Sequence, residues 1–163
     1  MDSKYKVGGY VKLAKLWERS KDAVVAYHSS YYAEKFKDDT DKELFGVYID
    51  ITGNKEIFKR PEKVHLLRDC KKGKINLISS QTRAYLAANT CEFCFLLQYL
   101  FDLPMRIDIV TDDNDQRIDT ILDVEDQRRS LKVLAEKYTA IRKADYLAWR
   151  ARLENEMEKV EEK

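Results

Sequence analysis

Glycine and proline are scarce, 5 and 2 among 163 residues. So few turn formers argue against a string of short hairpins or a low-complexity linker. Three cysteines, Cys70, Cys91 and Cys94, make an odd count, unlike the disulfide framework of a small secreted domain. No apolar run reaches the ~18 residues of a membrane helix. The N-terminus lacks the apolar core of a signal peptide. A cytoplasmic location without a membrane partner is therefore expected. Neither sign of charge prevails: 30 Lys and Arg against 29 Asp and Glu give a net charge of +1, so no global field draws the chain to nucleic acid. The phosphate-binding loop and the dinucleotide fingerprint are both missing, and neither a cofactor nor a small-molecule substrate is expected.

What is present is a 44% apolar composition, enough for one domain with a sizeable core. Tyr5–Leu13 alternates as a strand, and Gly8-Gly9 within it predicts close backbone packing. A helical face follows through Leu16, Trp17, Ala23, Val24, Tyr27, Tyr31 and Phe36, with Ser20 as a plausible start. Glu43–Ile51 reads as a second strand. Arg60-Pro61-Glu62 opens a helix, since proline suits the first turn, and Gly73 closes it. Ile75, Leu77 and Ile78 form a third strand, Cys91–Phe101 a helix capped by Asn89 or Thr90, and Pro104–Val110 a fourth strand. Asp38–Asp41 and Asp112–Asp115 read as solvated turns.

From Arg117 to Lys163 there is neither Pro nor Gly, and a drifting apolar stripe predicts one long helix, with an interruption allowed near Asp123–Asp126. About 35 helical residues would extend roughly 50 Å, more than so small a sheet covers. The expected fold is α/β: a mainly parallel sheet of four to five strands flanked by helices, with a long C-terminal helix. Residues 1–115 would hold the α/β body and 116–163 the helix, within one domain. Cys91-x-x-Cys94 lies in a helical pattern and has no second pair, so buried hydrophobes are expected there and no metal.

Several stretches, in order, resemble the catalytic domain of the serine recombinases, the resolvases, invertases and large serine integrases. Lys6–Ala14 is similar to the family's opening strand, which ends in Tyr-x-Arg-x-Ser. Phe45–Gly53 is similar to its second strand and following loop, Arg60-Pro61-Glu62 to its Arg-Pro helix start. Gly73–Ile78 and Ala84–Thr90 are similar to its third strand and its Ser/Asp-Arg-x-x-Arg-Asn loop. The resemblance implies a resolvase-like fold and DNA strand exchange through a serine nucleophile held among arginines.

The residues that would do that chemistry are replaced. Ala14 stands at the nucleophile, Lys12 at the neighbouring arginine, and Ala84, Tyr85 and Ala88 where an acidic or Ser residue and two arginines belong. Arg60 and Asn89 remain. An alanine methyl has no oxygen to attack with, and phosphoryl transfer depends on the arginines' positioning and charge. The expectation is a catalytically inactive recombinase-like domain of a mobile-element or phage-type system that binds protein or DNA. The alternative is an active recombinase whose serine lies elsewhere, Ser29, Ser30, Ser79 or Ser80. The resemblance further implies a homodimer, or a heterodimer with a related recombinase, through Leu131, Leu134, Tyr138 and Ile141. Weak DNA binding would use Arg142, Lys143, Arg150 and Arg152.

Overall fold

A computed structural model of the protein describes residues 4–54, 56–112, 117–121 and 126–160. Strand β1 (Tyr5–Leu13) lies at the centre of the sheet, between β2 (Lys42–Ile51) on one side and β3 (Leu77–Ser80) with β4 (Asp108–Thr111) on the other. All three pairings are parallel, in the order β2-β1-β3-β4. Parallel strands need crossovers, and helices supply them on both faces.

On one face lies α1 (Lys21–Phe36). Its buried positions are His28, Tyr32 and Phe36, spaced by four, not the expected stripe through Tyr27 and Tyr31. Leu16 and Tyr27 are exposed at 72% and 64%. The helix turns this face inward because the Tyr32 hydroxyl can donate to the Ser79 carbonyl at 3.2 Å, which gives a buried phenol its acceptor. Residues Lys15–Ser20 form a separate 3-10 helix, and the Ser20 side chain makes no cap bond.

The other face is covered by α2 (Pro61–Lys71) and α4 (Thr90–Asp102). The glycine pair lets both layers reach the backbone of β1. A Cβ on Gly8 would lie 2.6 Å from Leu66 Cδ1, and one on Gly9 2.9 Å from the Tyr32 ring. Gly73, at φ +78°, follows α2 in a conformation that costs other residues energy. β2 carries one extra residue: Val7 pairs with Leu44 and Gly8 with Gly46, so Phe45 is a bulge.

The C-terminal part departs from one continuous helix. Arg117–Ile121 returns beside β4: Thr120 N donates to the Ile109 carbonyl at 3.1 Å and Thr111 N to the Ile118 carbonyl at 2.8 Å. Helix α5 (Gln127–Ile141) follows, and a break at Arg142 (φ −118°, ψ 40°) separates it from α6 (Lys143–Lys159). Before the break the Thr139 hydroxyl donates back to the Ala135 carbonyl at 2.8 Å, a bond that loosens and bends helices. The break lets α6 fold onto α2 and α4 instead of projecting. Tyr146, Leu153 and Met157 become buried, each worth about 1.5–3 kcal/mol of apolar burial for a large side chain. The acidic run Asp113–Asp115 and the segment 123–125 lie outside the described residues.

Candidate functional site

The carboxyl ends of β1 and β3 point the same way, so the chain that follows each lies at one end of the sheet. After β3, Thr82 caps a short helix α3 (Arg83–Leu86) by accepting from Ala84 N at 3.2 Å. Asn89 then caps α4, accepting from Glu92 N at 2.9 Å. Glu92 reaches back to accept from Ala88 N at 3.3 Å, close to a capping box. Of the two expected caps it is Asn89 that serves, so its amide oxygen is committed to the helix.

Ala84, Ala88 and Asn89 line one depression of 330 Å³ together with Arg83 and Phe93. The Arg83 guanidinium lies 4.0 Å from the Phe93 ring centroid, a cation–π contact. Lys12, Ala14 and Arg60 do not line this depression. Ala14 is exposed just past β1, and its carbonyl accepts from Trp17 N at 3.0 Å.

Arg60 is 1% exposed. Its Nη1 donates to the Tyr85 carbonyl at 3.2 Å and its Nε to the Asn54 carbonyl at 3.4 Å. The guanidinium thus ties the start of α2 to two loops. Tyr85 is half-buried and packs against the hydrophobic clusters of both sheet faces, and burial raises its phenol's pKa.

Beneath this end of the sheet lies a buried polar cluster that the sequence reading missed. Asp50 accepts from the Tyr10 hydroxyl at 2.8 Å and from the backbone N–H groups of Glu62 and Lys63 at 3.0 and 2.9 Å. A carboxylate at a helix N-terminus is well placed, yet burial still raises its pKa. Lys63 is fully buried, with Nζ 4.4 Å over the Tyr10 ring and no hydrogen-bond acceptor among the described residues. Burial, and then the Arg60 charge, push its pKa down to about 7. Burial likewise raises Glu92. The available signal was the pairing of Asp50, the penultimate residue of a strand, with a Pro-started helix whose free N–H groups need an acceptor.

The cations proposed for DNA divide. Arg142 and Lys143 are exposed at the helix break. Arg150 pairs with Asp102 at 3.5 Å and Glu154 at 3.1 Å, and Arg152 stacks over Phe58 at 4.2 Å. The apolar candidates divide too: Leu131 is buried, Tyr138 is half-buried, and Leu134 and Ile141 are exposed.

The architecture defines an α/β domain, a parallel four-stranded sheet in the order β2-β1-β3-β4 between helices. The crystal structure of the N-terminal catalytic domain of TP901-1 integrase aligns with this chain at a TM-score of 0.54 and 15% sequence identity, covering 86% of this chain and 99% of that one. At that identity the likeness is one of fold. No protein-family model matches the chain, and no curated protein matches it in sequence. Among the described residues no helix is long and apolar enough to cross a membrane, and no group of three or more His, Cys, Asp or Glu residues has metal-holding geometry.

Proposed function

We propose that this chain is a serine-recombinase-like domain without strand-cleavage chemistry, which acts by binding protein partners and, weakly, DNA. The observation that carries this reading is the state of Arg60. The one principal arginine retained from the family pattern is buried and committed to the carbonyls of Asn54 and Tyr85. A guanidinium held in this way is a structural strut, not a cradle for a phosphodiester. At the other positions that match the family pattern, Ala14, Ala84 and Ala88 offer neither an attacking oxygen nor a proton donor. A mobile-element or phage-type setting rests on the family resemblance.

The serines of the alternative reading favour inactivity. Ser79 and Ser80 are 1% and 0% exposed, and the Ser80 hydroxyl donates to the Tyr10 carbonyl at 2.7 Å. Ser29 and Ser30 lie midway along α1, and the cavity that Ser29 lines beside β2 is lined by none of Lys12, Ala14 and Arg60. The test is incubation of the full chain with supercoiled plasmid, followed by denaturing gels for nicked DNA and for a covalent protein–DNA adduct. Neither product is expected, and Ala14→Ser alone is expected to restore neither, because the arginines at positions 85 and 88 are also missing. An adduct formed by the unaltered chain would overturn the proposal.

A further inference from the structure

Between α5 and α6 only Arg142 lies outside a helix. Its N–H donates to the Tyr138 and Thr139 carbonyls at 3.3 and 3.2 Å, and its carbonyl accepts from Tyr146 N at 2.9 Å. The i to i−4 bonds of a continuous helix therefore already run into and out of the break. Apart from the Thr139 hydroxyl, nothing local favours a bend. Ala140, Arg142, Lys143 and Ala144 are strong helix formers, and no glycine or proline lies between Arg117 and Lys163. The bend is held from outside, by what α6 packs against.

That packing is with α2 and α4. Glu154 pairs with Lys71 at 3.4 Å, the Tyr146 hydroxyl donates to Asp102 at 2.9 Å, and the Tyr99 hydroxyl donates to Met157 Sδ at 3.7 Å. None of these bonds involves α5. Straightening at Arg142 would carry the 17 residues of α6 about 25 Å out from the hinge and bare the surface they cover. An α6 from a second copy restores each of these contacts, because the complementary residues are the same. The surface thus specifies its occupant.

Geometry favours the same partner. In a straight helix, Leu131 and Ala135 of α5 fall on one stripe with Tyr146, Leu153 and Met157 of α6. The projecting half then turns its apolar stripe toward the side on which its own body already sits, where a second body fits beside the first. Two such helices lie antiparallel across a twofold axis. Leu134 and Ile141, exposed at 43% and 84% in the single chain, stand two turns apart on the flank of that stripe. In the exchanged pair these flanks face and cover each other, a contact that the bent monomer lacks.

We propose that two copies of this chain exchange α6, each straightening at Arg142 and laying that helix on the α2 and α4 of the other. The exchange requires neither DNA nor cleavage chemistry. To test it, isotope-labelled and unlabelled full chains are mixed equally, unfolded together, refolded at high concentration and separated by size. Carbodiimide treatment of the dimer then joins the Lys71 amine to the Glu154 carboxylate, which already form an ion pair. In an exchanged dimer these residues belong to different chains, so about half of the joined peptides should carry one labelled and one unlabelled member. A dimer formed on α5 alone would give only like-labelled pairs and would overturn the proposal, as would the absence of any dimer. Arg142→Gly disfavours a continuous helix at its centre and leaves the bend accessible, so it should weaken the dimer about tenfold or more. Equal dimerisation of this variant would refute the hinge.

Discussion

Arg60 and Tyr85 are joined by a 3.2 Å hydrogen bond from guanidinium to backbone carbonyl, which ties the start of α2 to the segment after β3. Removing the guanidinium leaves that carbonyl and the one on Asn54 without their donor. Arg60→Ala is expected to destabilise the chain by about 1–3 kcal/mol, and Arg60→Lys should not rescue it, because an ammonium cannot span two diverging acceptors. Chemical denaturation measures the loss, and hydrogen exchange at Ala84–Ala88 should quicken in both variants. A phosphate-binding arginine would leave stability unchanged instead.

Lys63 gives the chain a dependence on pH whose sign is fixed. Its folded pKa of about 7 lies below the ordinary 10.5. Between the two values the unfolded chain holds a proton that the folded chain has released, so this group's contribution to stability rises with pH and is least favourable below about 7. Lys63→Met should be more stable than the parent near neutrality by about 1–4 kcal/mol. The advantage should shrink between about pH 7 and about pH 9. Urea titrations across that range test it, and an advantage independent of pH would count against the assignment.

The apolar residues of α5 separate into two kinds. Leu131 is 8% exposed, whereas Leu134 and Ile141 are 43% and 84% exposed. If α5 is the face on which copies meet, Leu134→Asp and Ile141→Asp should yield a monomer with little loss of stability. Leu131→Asp should cost about 3–5 kcal/mol by placing a charge in the core. Sedimentation velocity with parallel thermal melts distinguishes these outcomes. A parent chain that stays monomeric at high concentration would exclude α5 as a self-association face.

DNA binding by the isolated chain is expected to be weak, indifferent to sequence and steeply reduced by salt. Arg142 and Lys143, exposed at the helix break, should carry it. Replacing both with Ala should flatten the logarithmic salt dependence by about one unit per cation removed. Arg150→Ala should leave binding unchanged, because that side chain is engaged by Asp102 and Glu154. Fluorescence anisotropy on a mixed-sequence duplex provides the measurement.

Where the residues themselves fix the backbone, the sequence was enough. Alternation placed β1 at Tyr5–Leu13, proline opened α2 after Arg60, and Gly73 followed its last turn. The parallel α/β sheet followed from strands alternating with helices. The break at Arg142 was not readable, because the apolar spacing runs on across it: Leu131, Ala135, Tyr138, Tyr146, Trp149, Leu153 and Met157 keep nearly to a helical period. Only tertiary packing against α2 and α4, with Thr139 bonding back to Ala135, decides that the chain bends there. At the site, Ala14, Ala84 and Ala88 could be seen in the sequence as residues without chemistry. The inward turn of Arg60 and the burial of Lys63 could not, since both depend on which loops close over them.

Phe45 has a consequence larger than its half-exposed ring suggests. Because side chains alternate with period two, one extra residue inverts the phase of everything after it. Were Phe45 paired with Gly8 instead of bulged, the register beyond it would slip by one residue, and each later side chain of β2 would turn over. Tyr48, now bonded to Asp69 at 2.6 Å, and Asp50, now seated on the first N–H groups of α2, would face α1, and Val47 and Ile49 would be thrust among the charges of α2. This single insertion is the frame marker of the edge strand: it keeps the anchoring carboxylate in step with the helix whose first turn it holds.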